Sequence, residues 1–377
     1  MNRIYFDNAA TTSLDPEVLE AMIPYMTEKF GNPSSIYSYG RETKLAIETA
    51  RKSVAKQLNC APGEIFFTSG GTESSNTAIS SAVRNLGCKH IITSSIEHHA
   101  TLHTAEYLDK TGEAKLSLVN LTGNGHVDLA HLEELLSSST EKTLVTLMHA
   151  NNEIGNLLDV KAVSELCQKH NAIFHCDMVQ TIGHYPIDLK ELKVHFASSA
   201  GHKFHGPKGI GILYVNEDIK IQPMILGGAQ ERNMRAGTEN LYGIIGYAKA
   251  LEKAAGNFQN DSNYVNELKG YMASKLKEAF PTIKFNGDTN GSCLYTVLNV
   301  AFAKTEKTDM LLLNLDMAGI CVSGGSACSS GASSVSHVIK ALYNGHSEEL
   351  VPIRFSFSKN NTKEEVDMVI DKLKELM

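Results

Sequence analysis

Lysines usually sit in solvent, yet Lys203 stands in Ala200-Gly201-His202-Lys203-Phe204-His205-Gly206-Pro207-Lys208-Gly209, hemmed in by Gly, Pro and His. An amine held this way suits a Schiff base with a carbonyl compound. Asp177 ends the apolar run Ala172-Ile173-Phe174-His175-Cys176, which puts a carboxylate at the carboxyl end of a predicted strand, where ligands of open α/β sheets collect. As a capping or surface residue it would be unremarkable. Thr68-Ser69-Gly70-Gly71-Thr72-Glu73 follows one predicted strand and opens a helix. Its small residues serve either a plain turn or the backbone cradle of an anion at a helix N-terminus, and no Lys follows the glycines as the Walker pattern requires.

A second kind of chemistry is written around Cys328, in Ser323-Gly324-Gly325-Ser326-Ala327-Cys328-Ser329-Ser330-Gly331. With no bulky neighbour and three glycines, this predicts an accessible, reactive thiol. Cys176 in its strand and Cys321 between Ile320 and Val322 read instead as small core residues. As a set, amine, carboxylate and anion cradle match the needs of pyridoxal 5'-phosphate (PLP): a Schiff-base partner, a charge that keeps the pyridine nitrogen protonated so that the ring draws electrons, and a phosphate site. His98-His99, and His202 with His205, lack partners at a ligand spacing, so no metal is expected.

These groups must be held by a sizeable scaffold. At 377 residues, the chain exceeds the length at which one core stops growing. Short β-rich runs alternate with amphipathic stretches through the first two thirds, the pattern of a mostly parallel sheet covered by helices. Strands are predicted at 64–68, 90–93, 115–119, 143–148, 172–177, 195–198 and 209–215. Asp15-Pro16 starts a helix, and Leu45, Ala46, Ala50, Val54 and Leu58 mark the inner face of another. Beyond about Leu251 the pattern changes to two long helical stretches, a strand at 294–300, a helix at 308–317 and a strand at 320–323. The final helix opens with a capping box, Thr362 with Glu365, and presents Val366, Met368, Val369 and Leu373 on one side.

Composition excludes several classes of function. With 42% hydrophobic and 20% charged residues the chain is too apolar to be disordered, and a net charge of −7 without clustered Lys and Arg argues against nucleic acid as a direct partner. No membrane span or signal segment is predicted, and seven scattered cysteines suggest reduced thiols. The expected location is cytoplasmic.

The chain resembles the cysteine desulfurase family, NifS- and IscS-like enzymes of the class V branch of fold-type I PLP enzymes, in the group with a Gly-Ser-Ala-Cys active loop. The resemblance runs in order through Tyr5-Phe6-Asp7-Asn8-Ala9-Ala10-Thr11-Thr12, Gly31-Asn32-Pro33-Ser34-Ser35, Gly71-Thr72-Glu73-Ser74, Glu97-His98, Asn151-Asn152-Glu153-Ile154-Gly155, Lys203, Arg235-Ala236-Gly237-Thr238-Glu239, Cys328 and Ile353-Arg354-Phe355-Ser356. It implies an α/β fold with a seven-stranded, mostly parallel sheet in a large domain at 15–255. A smaller α+β domain, made of 1–14 and 256–377, would carry the Cys328 loop.

The same resemblance implies that Lys203 forms the Schiff base, Asp177 pairs with the pyridine nitrogen, and His98 stacks on the ring and takes part in catalysis. Gln180 and Asn152 would contact the ring hydroxyl region. Gly71, Thr72 and His202 would hold the phosphate beside Ala200 and Gly201, with Thr238 reaching it from the partner subunit of a homodimer. Arg354 would clamp the carboxylate of L-cysteine, with Asn8 and Asn152 close by. Cys328 would take the sulfur as a persulfide, leaving alanine, and pass it to an acceptor such as an iron–sulfur scaffold or a tRNA-thiolation protein. The chain departs from the family pattern with Ala200 for a usual Ser, Ser75 for Asn, Tyr37 for His, and Ser358-Lys359 for Gly-Arg. Ala200 removes one hydroxyl donor to a phosphate. The alternatives are a selenocysteine lyase or aminotransferase on the same scaffold, and a PLP-fold protein that only binds partners.

Overall fold

A computed structural model describes residues 3–324 and 336–377. Cys328 lies outside the described residues. The first strand is short, β1 (Ile4–Tyr5), and seven more build the main sheet: β2 (Ile65–Thr68), β3 (His90–Ser94), β4 (Lys115–Val119), β5 (Thr143–Met148), β6 (Ile173–Asp177), β7 (Phe196–Ala200) and β8 (Gly211–Val215). Their order is β2-β8-β7-β6-β5-β3-β4, and β8 alone runs antiparallel to its neighbours. Alternate residues enter opposite faces. Val145, Leu147, Phe174 and Cys176 join one apolar cluster, while Leu144, Ile173, Phe196 and Leu213 join another. Covered on both sides, strands such as β5 are buried along their whole length, which is why they read as continuous apolar runs.

Antiparallel β8 makes β7–β8 a hairpin, and Lys203 sits in its connection. The close fit explains Gly211: a Cβ there would stand 2.3 Å from the Ser199 carbonyl oxygen and 2.7 Å from the Gly70 Cα. Only a glycine lets the hairpin approach the turn that opens the helix after β2.

The first helix, α1 (Pro16–Thr27), begins as predicted, with the Asp15 carboxylate accepting the Glu17 amide. In the second, α2 (Ser38–Gln57), Ala50 and Val54 face inward as predicted and so does Leu58 just beyond it, but Leu45 is 68% exposed while Thr43, Ile47 and Arg51 are buried. The Arg51 guanidinium is buried against the carboxylate of Glu231, at 2.7 and 2.8 Å, so a charged residue occupies a core position.

The two helical stretches predicted beyond Leu251 are instead the larger part of one 39-residue helix, Leu241–Ala279, roughly 60 Å long. Gly256 meets nothing within 4 Å and costs the helix only about 1 kcal/mol, too little to break an element anchored at both ends. Leu241–Leu251 pack with the sheet, and Val265–Leu276 pack in a separate cluster with the C-terminal strands. Those strands are β9 (Lys284–Asn286), β10 (Val297–Ala303), β11 (Ile320–Cys321) and β12 (Leu350–Ser356). β10 is flanked antiparallel by β9 and β12, and β11 pairs with β1. Here the predicted boundaries shift: the strand starts at Val297, the helix spans Leu311–Met317, and β11 ends at Cys321, which is partly exposed. The capping box of the Lys363–Leu376 helix forms as expected, although Met368 is 53% exposed and Ile370 takes its place in the core. Among the described residues, no helix is long and apolar enough to cross a membrane.

Candidate active site

The carboxyl ends of the parallel strands and the turns beyond them surround one cavity of about 300 Å³. β6 delivers Asp177, and the turn after β7 delivers His202 and Lys203. β5 leads to Ala150 and Asn152, while Gly71 and Thr72 open the third helix, α3 (Gly71–Arg84). His98 caps the fourth, α4 (His99–Lys110), by accepting the Ala100 amide on Nδ1 at 3.1 Å. The far wall comes from elsewhere in the chain: Ala9 and Ala10 from the N-terminal segment, and Arg354 from β12.

Lys203 reaches into this cavity, its Nζ donating to the carbonyls of Ala9 at 2.7 Å and Ala10 at 2.9 Å. Asp177 is buried and accepts the Val179 amide at 3.0 Å. Burial pushes its carboxyl up to about 6, against the pull of that amide and of the Lys203 ammonium. A buried carboxyl so placed calls for a cationic partner. Burial lowers His98 to about 4, helped by Lys203 and the neighbouring imidazoles, so the ring is neutral with its proton on Nε2. His202, also lowered to about 4 by burial and Lys203, shares a hydrogen bond with the Thr11 hydroxyl at 3.2 Å. Gln180 is buried and donates to Ala9 O. Arg354 is 1% exposed; it donates to the Asn152 carbonyl at 2.9 Å and to Asp7 Oδ1 at 2.6 Å, and its buried Nε has no partner among the described residues.

The residues present fit PLP. The first N–H groups of α3 have no acceptor within the helix, and a Cβ on Gly71 would lie 2.6 Å from Val179 Cγ2, so glycine keeps that cradle open. The amine of Lys203 and the buried carboxyl of Asp177 complete the set. Other predicted members lie elsewhere. Asn8 donates its amide to Ser356 O and Asn361 Oδ1 and does not line the cavity. Gly201 is buried beside the ring of Tyr247, and Thr238 is exposed beside a separate cavity with Arg235 and Glu239. Ala200 contributes a methyl group to the lining. The residues on either side of the Cys328 segment bond to that lining. Ser323 exchanges backbone hydrogen bonds with Arg354, and the Ser336 hydroxyl donates to Glu153 Oε2 at 2.5 Å.

Several residues at the site carried no assigned role in the sequence: Asp7, Glu97, His99, Glu153 and His337. Glu97 and Glu153 lay inside recognisable motifs, and an acid next to Ile96 or Ile154 was the one signal of burial. Glu97 is the extreme case. Oε1 accepts the Met148 amide and the Ser94 hydroxyl at 3.0 Å each, while buried Oε2 has no partner among the described residues. Burial, with the charge of Asp177 adding to it, pushes this carboxyl up to about 8 from an ordinary 4.5. Folded chains therefore keep a proton that unfolded chains release, and stability should fall as pH rises from about 4.5 to about 8, at about 1.4 kcal/mol per pH unit from this group. Glu97→Gln retains the Oε1 acceptor and should flatten that slope. Urea midpoints measured across the window test it, and an unchanged slope counts against a protonated Glu97.

Comparison with known proteins agrees with this architecture. The chain is 43% identical to a protein named cysteine desulfurase IscS from Clostridium botulinum, over 383 residues that cover 100% of this chain and 95% of that one. Among solved structures, a NifS-like protein superposes with a TM-score of 0.91 at 38% identity, covering 99% of both chains. Another, described as SspA in complex with cysteine, superposes with a TM-score of 0.80 at 29% identity, covering 95% of this chain and 100% of that one. The profile of the aminotransferase class-V family matches residues 4–369, and the chain belongs to that family.

Proposed function

We propose that this protein is a PLP-dependent cysteine desulfurase, which releases L-alanine from L-cysteine and carries the sulfur as a persulfide on Cys328. The observation that supports it best is the meeting of Lys203, Asp177 and the open N-terminus of α3 in one cavity with a buried arginine fork on the opposite wall. Gly71, Thr72 and His202 would hold the phosphate, Asp177 the pyridine nitrogen, His98 the ring, and Gln180 and Asn152 its hydroxyl side. Bound PLP supplies an electron-withdrawing ring that makes the substrate α-proton acidic. Arg354 receives the substrate carboxylate in place of Asp7, which now occupies one side of the fork. The Lys203 amine, within reach of the same space, takes the α-proton and returns it. The Cys328 thiolate then attacks the substrate sulfur, the S–S bond forming as the substrate C–S bond breaks, and a proton gained by the carbon left behind completes alanine.

The reading extends to a homodimer in which Thr238 serves the partner's phosphate site, and to delivery of sulfur to an iron–sulfur scaffold or tRNA-thiolation protein in the cytoplasm. A large domain at 15–255 and a small one at 1–14 and 256–377 are supported by the separate apolar clusters on the two halves of the long helix.

Assaying alanine and sulfide together from L-cysteine, with a reductant present, tests the activity: equal amounts are expected. Sulfide accompanied by pyruvate and no alanine refutes this reaction in favour of elimination, and a preference for selenocysteine by orders of magnitude reassigns the substrate. Arg354→Lys keeps the charge but loses the fork, and kcat/KM for L-cysteine should fall roughly 10- to 100-fold, the worth of one charge-assisted hydrogen bond. Steady-state kinetics check it; an unchanged KM would remove Arg354 from the carboxylate site.

A further inference from the structure

A second place suited to sulfur chemistry lies outside the Lys203 cavity. Lys269, on the C-terminal half of the long helix, is only 5% exposed, and its Nζ donates to Cys293 Sγ at 3.1 Å and to the Leu294 carbonyl at 3.0 Å. No carboxylate is among these partners. A buried ammonium ordinarily faces one, because an isolated charge in a low-dielectric interior is costly. Here the group it faces is the thiol of Cys293, a residue that is only partly buried.

Both ends are held in place. The amine is carried by a helix, while the Cys293 backbone bridges to Asn156, Leu294 N donates to Gly155 O at 2.7 Å, and Cys293 Sγ donates to Thr289 O at 3.4 Å. Reacting atoms fixed near 3 Å apart need little further ordering. Cys60 offers a contrast, being also partly exposed but next to Glu64, with burial pushing its thiol up to about 12.

We infer that Cys293 and Lys269 form an oxidation-dependent modification site at which a peroxide oxidant leads to a covalent Sγ–Nζ bond. In the first step the peroxide O–O bond breaks, the Cys293 sulfur is oxidised to a sulfenic acid, and the other oxygen is reduced and leaves as water. Lys269 then loses a proton to solvent on the open side of Cys293, and its lone pair attacks sulfur. The S–N bond forms, the S–O bond breaks, and the departing hydroxide takes a second nitrogen proton to leave as water. Two equivalents of a thiol reductant reverse the change, restoring thiol and amine. The bond would tie the long helix to the segment that carries Tyr295, whose hydroxyl meets His184 Nδ1 at 3.3 Å, and His184 Nε2 donates to the Lys203 carbonyl at 2.9 Å.

The test treats the full-length, PLP-loaded protein with hydrogen peroxide, digests it with trypsin without reduction and weighs the fragments. The expected product is Ala254–Lys275, uncut after Lys269, joined to Phe285–Lys304, lighter than the two together by two hydrogens and lost on adding dithiothreitol. Cys293→Ser and Lys269→Arg should each abolish it. Because the reading comes from the unsubstituted protein, a variant that folds poorly does not blur it. Cys293 recovered unchanged, or as sulfinic or sulfonic acid with normal cleavage after Lys269, overturns the inference.

Discussion

Lys203→Ala should give a folded protein that purifies colourless in the presence of PLP and makes neither alanine nor sulfide from L-cysteine. Lys203 is the sole lysine among the described residues lining the cavity, so no other side chain there offers an amine. The loss should reach roughly 10⁴-fold or more in kcat, at or beyond the upper end of what a placed proton-transfer group supplies, since the covalent hold on the cofactor goes with it. The fold should survive, because the substitution frees two carbonyls, of Ala9 and Ala10, at the edge of a cavity that water can enter. Borohydride treatment followed by peptide mapping checks the claim independently of turnover: the parent should carry reduced cofactor on Lys203. Label on another lysine, or a variant with parental activity, refutes the assignment.

Cys328→Ala should separate cofactor chemistry from sulfur acceptance. Its visible spectrum with PLP should match the parent, while sulfide released in the presence of reductant should drop by roughly 10²-fold or more, because the nucleophile itself is gone. No cysteine lines the cavity among the described residues to replace it, and Cys176, below Asp177, is buried with its thiol pushed well above the usual range by burial and the nearby carboxylates. Sulfide release at the parental rate would point to simple elimination and discard the persulfide.

Much of the fold could be read because doubly covered strands are short apolar runs with abrupt ends, as at Thr143–Met148 and Ile173–Asp177. Periodicity failed where a distant partner overrode it. Arg51 was not among the inward residues read from the pattern, yet Glu231, 180 positions away, pairs with it in the core while Leu45 is left exposed. The stretch beyond Leu251 read as two helices, yet packing at either end carries one helix through Gly256. At the site, Lys203 and Asp177 stood out because their local neighbours are wrong for solvent. The Asp7–Arg354 pair did not, since nothing near Asp7 announces a guanidinium 347 residues away. Asn8 shows the converse: a motif position whose amide is spent on Ser356 and Asn361.

The helix Leu241–Ala279 gives the molecule a shared spine. Isolated helical halves are marginal in water, so each half depends on the side chains stacked against it, and melting either apolar cluster strips support from the other. Calorimetry of the whole chain should accordingly record a single cooperative endotherm, with van't Hoff and calorimetric enthalpies in agreement, and not two resolved peaks.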